Sequence, residues 1–381
     1  MPVYLDYNAT TPVDEEVLEA MLPYLGAGFG NPSSAHSFGR IAREAIENAR
    51  SQIAGSLGCS SSQVVFTSCG SEANNLFLKG LAGYLKPAQV AISAIEHPSI
   101  SKSAESLTRS GWTVRKIRVD GEGLVDMNDA EAAISKPTGM LSVMLANNET
   151  GVVQDVAALS EMARRKKILM HTDAVQAFGK IPFDFPSLGV HAMTISSHKI
   201  YGPKGAGALI LDKRLSLNPL IDGGGQESGL RSGTENVAAI VGFGVAASLA
   251  RSRQEHSASS VAKMKLKLEE ALRGMGAVFF SNSTRALPNT VYFSFSGMDG
   301  GTLVSEMDKM GFAIASGSAC SSGKTEPSAT LLSMGVSPDL ARGAVRVSLG
   351  WENTDAHVTG FLEAMRTTLD RLSSMASRLQ V

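Results

Sequence analysis

The sequence predicts an α/β fold in which a mainly parallel β-sheet is covered by helices on both faces. Between residues 63 and 212, short runs rich in Val, Ile and Leu alternate with segments of helical periodicity. Strands that are apolar throughout are typical of parallel sheets, because such sheets are buried on both faces. The chain has 381 residues, of which 43% are hydrophobic, so it is long enough to bury a large core.

The predicted strands and helices of this sheet follow one another along the chain. The strands lie at 63–67, 89–95, 113–119, 139–146, 167–172, 191–196 and 205–212, and the helices at 72–85, 99–111 and 155–167. Ligands of such sheets bind just beyond the carboxyl ends of the strands. We therefore expect the functional side chains immediately after the strands.

The alternation changes at a polar segment, SRQEHSASS, at 252–260. The elements predicted beyond it are a helix at 261–276, strands at 289–295 and 344–350, and an amphipathic helix at 355–378. We predict two domains. They are a large α/β domain of residues 15–254 and a smaller α+β domain made of residues 1–14 and 255–381.

Composition argues against several classes of protein. The formal net charge is −1, so no overall basic field would recruit nucleic acid. No stretch approaches ~20 uninterrupted apolar residues, and the N-terminus lacks a secretory signal, so we expect no membrane association. Cys59, Cys69 and Cys320 cannot all pair within one chain and lack metal-finger spacing, so we expect no metal and a reducing, cytoplasmic location.

Four polar signals follow predicted strands, and each has a structural alternative. Lys199 in SSHKIYGPKG could be a surface lysine at a strand exit, and Asp173 in ILMHTDAVQ could be a helix N-cap. The Gly70–Ser71 turn in FTSCGSEANN could be an ordinary capped turn. His97 in AIEHPS could be a structural histidine.

Together the four signals match the needs of one cofactor, pyridoxal phosphate. That cofactor needs a lysine for its Schiff base, an acid at the pyridine nitrogen, a phosphate cup and a flat group against the ring. A substrate amino acid also needs a cation for its carboxylate, and Arg346 in AVRVSLG is a candidate because guanidinium grips carboxylate bidentately. The alternative for Arg346 is an arginine on the solvent face of an edge strand.

Cys320 lies in the Gly- and Ser-rich stretch SGSACSSGKTEPS at 316–328. The stretch is not a nucleotide-binding P-loop, because Gly317 and Gly323 are separated by one residue too many. Gly and Ser give a loop conformational freedom. Cys320 is therefore either a nucleophile on a tether or a bystander in a loop.

Ten motifs, in order along the whole chain, resemble those of the cysteine desulfurases among the fold-type I pyridoxal-phosphate enzymes. They are YLDYNATTP, FGNPSSAHSFG, FTSCGSEANN, EHPS, ANNETGVVQD, HTDAVQAFGK, SSHKIYGPKG, GGGQESGLRSGTEN, SGSACSSG and VRVSLG. The resemblance is closest to the branch that serves iron–sulfur cluster and nitrogenase maturation. Two positions depart from the common pattern, since Ser71 stands where threonine is frequent and Trp351 where arginine is frequent.

The resemblance implies a role for each matching residue. Lys199 would hold the cofactor and shuttle the Cα proton, and Cys320 would attack the substrate sulfur. His97 would stack on the cofactor ring and act in acid–base steps. The remaining implied contacts are Asp173 to the pyridine nitrogen, Gln176 to the ring oxygen, Gly70, Ser71, Ser196 and His198 to the phosphate, Asn148 and Arg346 to the substrate carboxylate, and Thr234 to the phosphate of a partner subunit in a homodimer.

The implied activity is conversion of L-cysteine to L-alanine, with a persulfide formed on Cys320. The sulfur would pass to an acceptor protein, such as an iron–sulfur scaffold or a sulfurtransferase serving tRNA thiolation. A selenocysteine lyase or an aminotransferase would share the fold and cofactor but leave Cys320 idle. A non-catalytic sulfur-carrier or scaffold protein is the alternative from another class.

Overall fold

The computed structural model describes residues 2–135, 137–280, 285–317 and 326–379. Its strands are β1 (Val3–Tyr4), β2 (Val64–Thr67), β3 (Gln89–Ser93), β4 (Thr113–Ile117), β5 (Thr138–Ser142), β6 (Leu169–Asp173), β7 (Ala192–Ser196), β8 (Gly207–Leu211), β9 (Val278–Phe279), β10 (Thr290–Ser294), β11 (Phe312–Ala313), β12 (Ala315–Ser316) and β13 (Val345–Ser348). Its α-helices are α1 (Glu15–Leu25), α2 (Ser37–Leu57), α3 (Gly70–Tyr84), α4 (Pro98–Ser106), α5 (Met127–Ala133), α6 (Val156–Arg165), α7 (Phe185–Leu188), α8 (Val237–Gly274), α9 (Gly300–Lys309), α10 (Ala329–Ser333), α11 (Pro338–Arg342) and α12 (Asp355–Leu379).

A seven-stranded sheet forms the centre of the larger part, in the order β2-β8-β7-β6-β5-β3-β4. The strands β3 to β7 pair in parallel, whereas β8 runs antiparallel to both of its neighbours. The predicted α/β class with a mainly parallel sheet is confirmed. The parallel strands all end at one edge of the sheet, which is where the predicted functional residues lie.

Alternate side chains of each strand enter different apolar layers. Phe66 packs into one layer, together with apolar residues of α2, α5, α6 and the first half of α8. Its neighbour Val65 packs into the other layer, with residues of α3 and α4. Because both faces are covered, the inner strands β7 and β8 are buried at every position, whereas the edge strand β4 is partly polar and mostly exposed.

A separate apolar core lies towards the C-terminus. The strands β9, β10, β12 and β13 form an antiparallel sheet in the order β12-β13-β10-β9. The N-terminal strand β1 pairs in parallel with β11, and Leu5 is buried in this second core with residues of α8 and α12. The start of the chain therefore packs with its end.

The polar segment 252–260 does not separate two elements, and the prediction that a helix begins only at residue 261 is wrong. It lies inside α8, a single helix of 38 residues. Before this segment α8 contributes to the first core, for example through Phe243, and after it to the second core, for example through Leu268. Ser, Arg, Gln, Glu and His are compatible with a helix, so their polarity indicated exposure between two cores rather than the end of an element. The predicted domain boundary at 254/255 falls within this helix, and the division into two domains stays a prediction.

The helices α2 and α8 approach closely at Gly244. A Cβ atom at this position would lie 2.6 Å from the Ala49 Cα and 2.4 Å from the Gln52 Oε1. Both distances are shorter than a van der Waals contact, so only a glycine allows this separation of the two helices.

We expect Gly244→Ala to lower the free energy of unfolding by about 1–3 kcal/mol, because the added methyl group forces the helices apart. The matched control is Gly55→Ala in α2, where an added Cβ would have no atom within 4 Å. That control should raise the free energy of unfolding by roughly 0.5–1 kcal/mol through helix propensity alone. Urea unfolding followed by circular dichroism measures both, and a shift of the same sign in the two variants would contradict the packing argument.

Candidate active site

A cavity of about 270 Å³ lies at the carboxyl ends of the parallel strands. The predicted site residues that line it are Gly70, Ser71, His97, Asn148, Asp173, Gln176, Ser196, His198, Lys199 and Arg346. They come from segments up to 276 residues apart in the sequence, from Gly70 to Arg346. The sheet brings them together because each follows, or ends, a strand or helix that reaches the same edge.

Asp173 is the last residue of β6 and is buried. Its Oδ2 accepts a hydrogen bond from the Asn74 Nδ2 at 2.7 Å, and its Oδ1 accepts one from the Val175 backbone N–H at 3.0 Å. The bond to Val175 closes a turn, and no helix starts at this position, so the alternative of a helix N-cap is wrong. The carboxylate lines the cavity.

His97 follows β3 and is the N-cap residue of α4. Its Nδ1 accepts a hydrogen bond from the Ser99 backbone N–H at 3.1 Å and lies 2.7 Å from the Ser99 Oγ. Burial lowers the pKa of His97, and the positive charge of Lys199 adds to this effect, against the opposing charges of Asp173 and Glu149. The ring is therefore held neutral at the wall of the cavity.

Lys199 ends the short 3₁₀ turn Ser197–Lys199 that follows β7. Its Nζ donates hydrogen bonds to the backbone oxygens of Asn8 at 2.6 Å and Ala9 at 2.7 Å. Burial, together with the nearby Arg346 guanidinium, lowers the pKa of Lys199 to about 8, despite the opposing charges of Asp6 and Asp173. An uncharged amine is therefore accessible close to neutral pH, which the surface-lysine alternative does not explain.

Arg346 lies in β13, in the C-terminal sheet, and is buried. Its Nη2 donates to the Asp6 carboxylate at 2.7 Å, and its Nη1 donates to the Asn148 backbone oxygen at 2.9 Å. Its Nε has no hydrogen-bond partner among the residues that the structure describes. Each Nη atom also has a second N–H, so the buried guanidinium that lines the cavity keeps donors for an anion there, and the alternative of a solvent-facing arginine is wrong.

The turn before α3 forms an open anion site. Cys69 is the N-cap residue of α3, and its side chain makes no capping hydrogen bond, so the first N–H groups of the 15-residue helix face the cavity end. The Ser196 Oγ is buried at the same cavity and has no partner in the described part of the chain. An added Cβ at Gly70 would lie 2.9 Å from the Val175 Cγ2, so a side chain there would crowd the turn.

These features fit pyridoxal phosphate. A lysine amine, a buried carboxylate, a hydroxyl with no partner among the described residues, an open helix N-terminus and a flat ring surround one cavity. They are the groups that this cofactor requires. His198 also lines the cavity, where burial and the charges of Lys199 and Lys204 lower its pKa to about 4, so it is neutral there.

The structure reveals site residues that sequence reasoning missed. Asn8 accepts hydrogen bonds from Lys199 and Gln176 at its backbone oxygen, and its Oδ1 accepts one from the Lys180 Nζ at 2.7 Å. The Gln176 Oε1 also accepts from Lys180, so its amide is engaged within the protein. Burial lowers the pKa of Lys180 well below its usual range. A signal was present, since Asn8 and Lys180 both lie within motifs that were recognised for other residues.

The two remaining predicted residues are Thr234 and Cys320. Thr234 is exposed and lies beside Arg231 and Glu235, outside the cavity wall of its own chain. Its implied contact with a partner subunit is therefore not tested within one chain. Cys320 lies outside the described residues.

The sequence is similar to known proteins over nearly its whole length. The family described as aminotransferase class-V matches residues 3–361. A relative from Dictyoglomus turgidum named "Cysteine desulfurase IscS" is 40% identical over 378 residues, which is 98% of this chain and 96% of that protein.

Solved structures agree with the sequence comparison. A NifS-like protein has a TM-score of 0.92 at 37% identity, covering 97% of this chain and all of that one. A structure titled "SspA in complex with cysteine" has a TM-score of 0.81 at 35% identity, covering 92% of this chain and all of that one.

The resemblance indicated by the ordered motifs is confirmed. It spans both apolar cores and all the strands that surround the cavity, rather than one motif. The chain therefore belongs to the aminotransferase class-V family, among whose members its full-length relatives include a cysteine desulfurase.

Proposed function

We propose that this protein is a cysteine desulfurase that uses pyridoxal phosphate. It converts L-cysteine to L-alanine and receives the sulfur on Cys320. The observation that carries the proposal is the single cavity in which the Lys199 amine, the Asp173 carboxylate, the open start of α3 and the Arg346 guanidinium meet. Cys320 enters the proposal from the sequence, where it is flanked by Gly and Ser.

The net reaction balances without a further reactant. The Cβ–Sγ bond of cysteine breaks, and a new S–S bond forms between that sulfur and the Cys320 sulfur. The Cβ atom gains a proton, so cysteine plus the Cys320 thiol gives alanine plus the Cys320 persulfide. The thiolate form of Cys320 is the nucleophile, because a thiol attacks poorly.

The cofactor would be held by residues already described. Asp173 would face its ring nitrogen, His97 its ring, and Gln176 its ring oxygen. Gly70, Ser71, Ser196 and His198 would hold its phosphate. When bound, pyridoxal phosphate supplies an electron sink that makes the substrate Cα–H bond acidic.

The protein's own residues would bind the substrate and move its protons. Arg346, with Asn148 beside it, would bind the substrate carboxylate through the guanidinium donor that Asp6 and Asn148 leave free. Lys199 would accept the Cα proton, since its pKa of about 8 leaves part of the amine uncharged near neutral pH. The related protein solved with cysteine supports this class of substrate.

A homodimer is part of the proposal. The exposed side chains of Leu18, Leu22 and Leu25 lie three to four residues apart on α1, and the exposed Phe29 and Phe38 rings lie 5.5 Å apart beside them. Apolar side chains grouped on one surface are typical of a protein interface. A second copy covering this surface would bring its Thr234 segment to the cofactor phosphate of its partner.

The sulfur would leave on an acceptor protein of the iron–sulfur or tRNA-thiolation type. A reducing cytosol suits a thiolate that must be regenerated after each transfer. No helix in the described part of the chain is long and apolar enough to cross a bilayer.

We expect purified protein supplied with L-cysteine and a reductant to release alanine. Cys320→Ala should keep the cofactor but form no persulfide, whereas Lys199→Ala should lose both the cofactor absorbance and turnover. Alanine release, persulfide trapping and the visible spectrum measure these outcomes. Wild-type alanine release by Cys320→Ala would contradict the role of Cys320. Alanine formed only when a keto acid is consumed would indicate an aminotransferase instead.

We expect the reactivity of the Lys199 amine to rise about tenfold per pH unit below pH ~8 and to level off above it. The reason is that the uncharged form is the reactive one, and the lowered folded-state pKa makes it abundant at lower pH than in an ordinary lysine. Trace acetylation of cofactor-free protein, followed by peptide mass spectrometry, measures the reactivity of the Lys199 amine. Nα-acetyl-lysine amide, whose side-chain amine is free, is the internal reference. Arg346→Met should move the plateau to higher pH, because it removes a positive charge. A profile that matches the reference compound would show the prediction to be wrong.

We expect Phe29→Asp to convert the dimer to a monomer and to abolish most alanine release, because a buried carboxylate is costly at an apolar interface. Leu266→Asp is the matched control, since Leu266 is also exposed but lies in the second half of α8, which packs in the C-terminal core. Sedimentation equilibrium distinguishes the two states. A Phe29→Asp protein that still sediments as a dimer would rule out this surface as the interface.

A further inference from the structure

Two groups of Ser99 lie within hydrogen-bond distance of one ring nitrogen of His97. The Ser99 backbone N–H donates to Nδ1 at 3.1 Å, and the Ser99 Oγ lies 2.7 Å from the same atom. The backbone N–H can only donate, so Nδ1 must offer a lone pair. Nδ1 therefore carries no proton in this arrangement.

The direction of the Ser99 hydroxyl bond follows from its other partner. The Asn74 Nδ2 donates to the Ser99 Oγ at 2.9 Å and to the Asp173 Oδ2 at 2.7 Å. An amide nitrogen only donates, and an amide oxygen in its place would face the Asp173 carboxylate unfavourably. Ser99 therefore accepts from Asn74 and directs its own proton to His97.

A neutral His97 in these contacts has its proton on Nε2. Nε2 has no hydrogen-bond partner among the residues that the structure describes, and His97 lines the cavity. It is the ring nitrogen left for a ligand. Burial favours the neutral ring, and the charged groups that face it are Asp173, Lys199 and Glu149.

We propose that Ser99 is a positioning residue that holds His97 in the Nε2–H tautomer, so that His97 offers a proton donor to the cavity. Ser99 is the last link before the imidazole in a series of hydrogen bonds that runs from Asp173 through Asn74 and Ser99 to His97. This inference rests on the proposed function for its chemical meaning. In that function Lys199 accepts the Cα proton, and His97 starts each turnover able to donate one.

The tautomer can be observed directly. In protein labelled with ¹⁵N-histidine and loaded with cofactor, long-range ¹H–¹⁵N spectra distinguish a protonated ring nitrogen from an unprotonated one. The sequence has seven histidines, and His97→Gln identifies the His97 signals by their loss. We expect Nδ1 unprotonated and Nε2 protonated, and a wild-type Nδ1–H tautomer would overturn the proposal.

Three substitutions separate positioning from simple structure. Ser99→Ala keeps the backbone N–H on Nδ1 but removes the hydroxyl donor, so the Nδ1–H tautomer should gain population and the pKa of His97 should rise, because one of two donors to the neutral ring is lost. Ser99→Thr keeps the hydroxyl and should preserve the wild-type tautomer. Ser101→Ala removes a hydroxyl two residues further along α4 and should change neither property. Unchanged tautomer and pKa in Ser99→Ala would contradict the proposal.

Turnover provides the second readout. We expect alanine release at saturating cysteine to fall roughly three- to tenfold in Ser99→Ala, and Ser99→Thr to restore it. Unchanged turnover in Ser99→Ala would show that the tautomer has no role in the reaction. The spectra are recorded without substrate, so they decide the role of Ser99 even if the protein releases no alanine, an outcome that would count against the proposed function alone.

Discussion

The site depends on one buried residue, Asn8, which connects the two ends of the chain to the central sheet. Its backbone oxygen accepts hydrogen bonds from Lys199 and Gln176, and its side-chain oxygen accepts from Lys180 and Asn289. Its Nδ2 donates to the Thr290 Oγ1 at 2.9 Å. A buried polar group is costly unless every member of its network is paired, so this network specifies one arrangement of the surrounding segments.

Asn8 also explains how three cations can lie close together. Burial lowers the pKa of both Lys180 and Lys199, and the neighbouring positive charge of Arg346 adds to the effect on each lysine. The Asn8 oxygens solvate the two ammonium groups, and the Asp6 carboxylate, two residues earlier, pairs with Arg346. The N-terminal segment therefore sets the electrostatics of a cavity whose walls come mostly from elsewhere. A partly discharged Lys199 and a guanidinium with a free donor are the two properties that the proposed reaction needs.

The helix α8 connects the two apolar cores of the protein. Its first half packs in the core of the large sheet and its second half in the core that contains β10 and β13, where Arg346 lies. Between the cores, Arg253 pairs with Asp14 and its guanidinium lies 5.3 Å from the Trp351 ring centroid. Trp351 in turn stacks on Tyr201, two residues after Lys199, with ring centroids 3.4 Å apart. The position that departs from the common motif is thus packed against the turn that carries the reactive lysine.

By itself the sequence determined the fold class and most of the cavity wall. Periodicity reports burial, and polar residues after apolar strands converge because parallel strands end at one edge. The ordered motifs added the family. Tertiary structure decided what no local pattern encodes. The polar segment 252–260 lies within a continuous helix. The sequence did not indicate this, because an exposed helical segment between two cores has the same composition as a linker. Asn8 has a hydrogen-bond partner 281 residues away, Asn289. The bonds from Asn74 to Ser99 and from Ser99 to His97 depend on which lone pair faces which proton. Such contacts are properties of the folded arrangement, since hydrogen-bond direction and the pKa of a buried amine depend on groups that only the complete fold brings within reach.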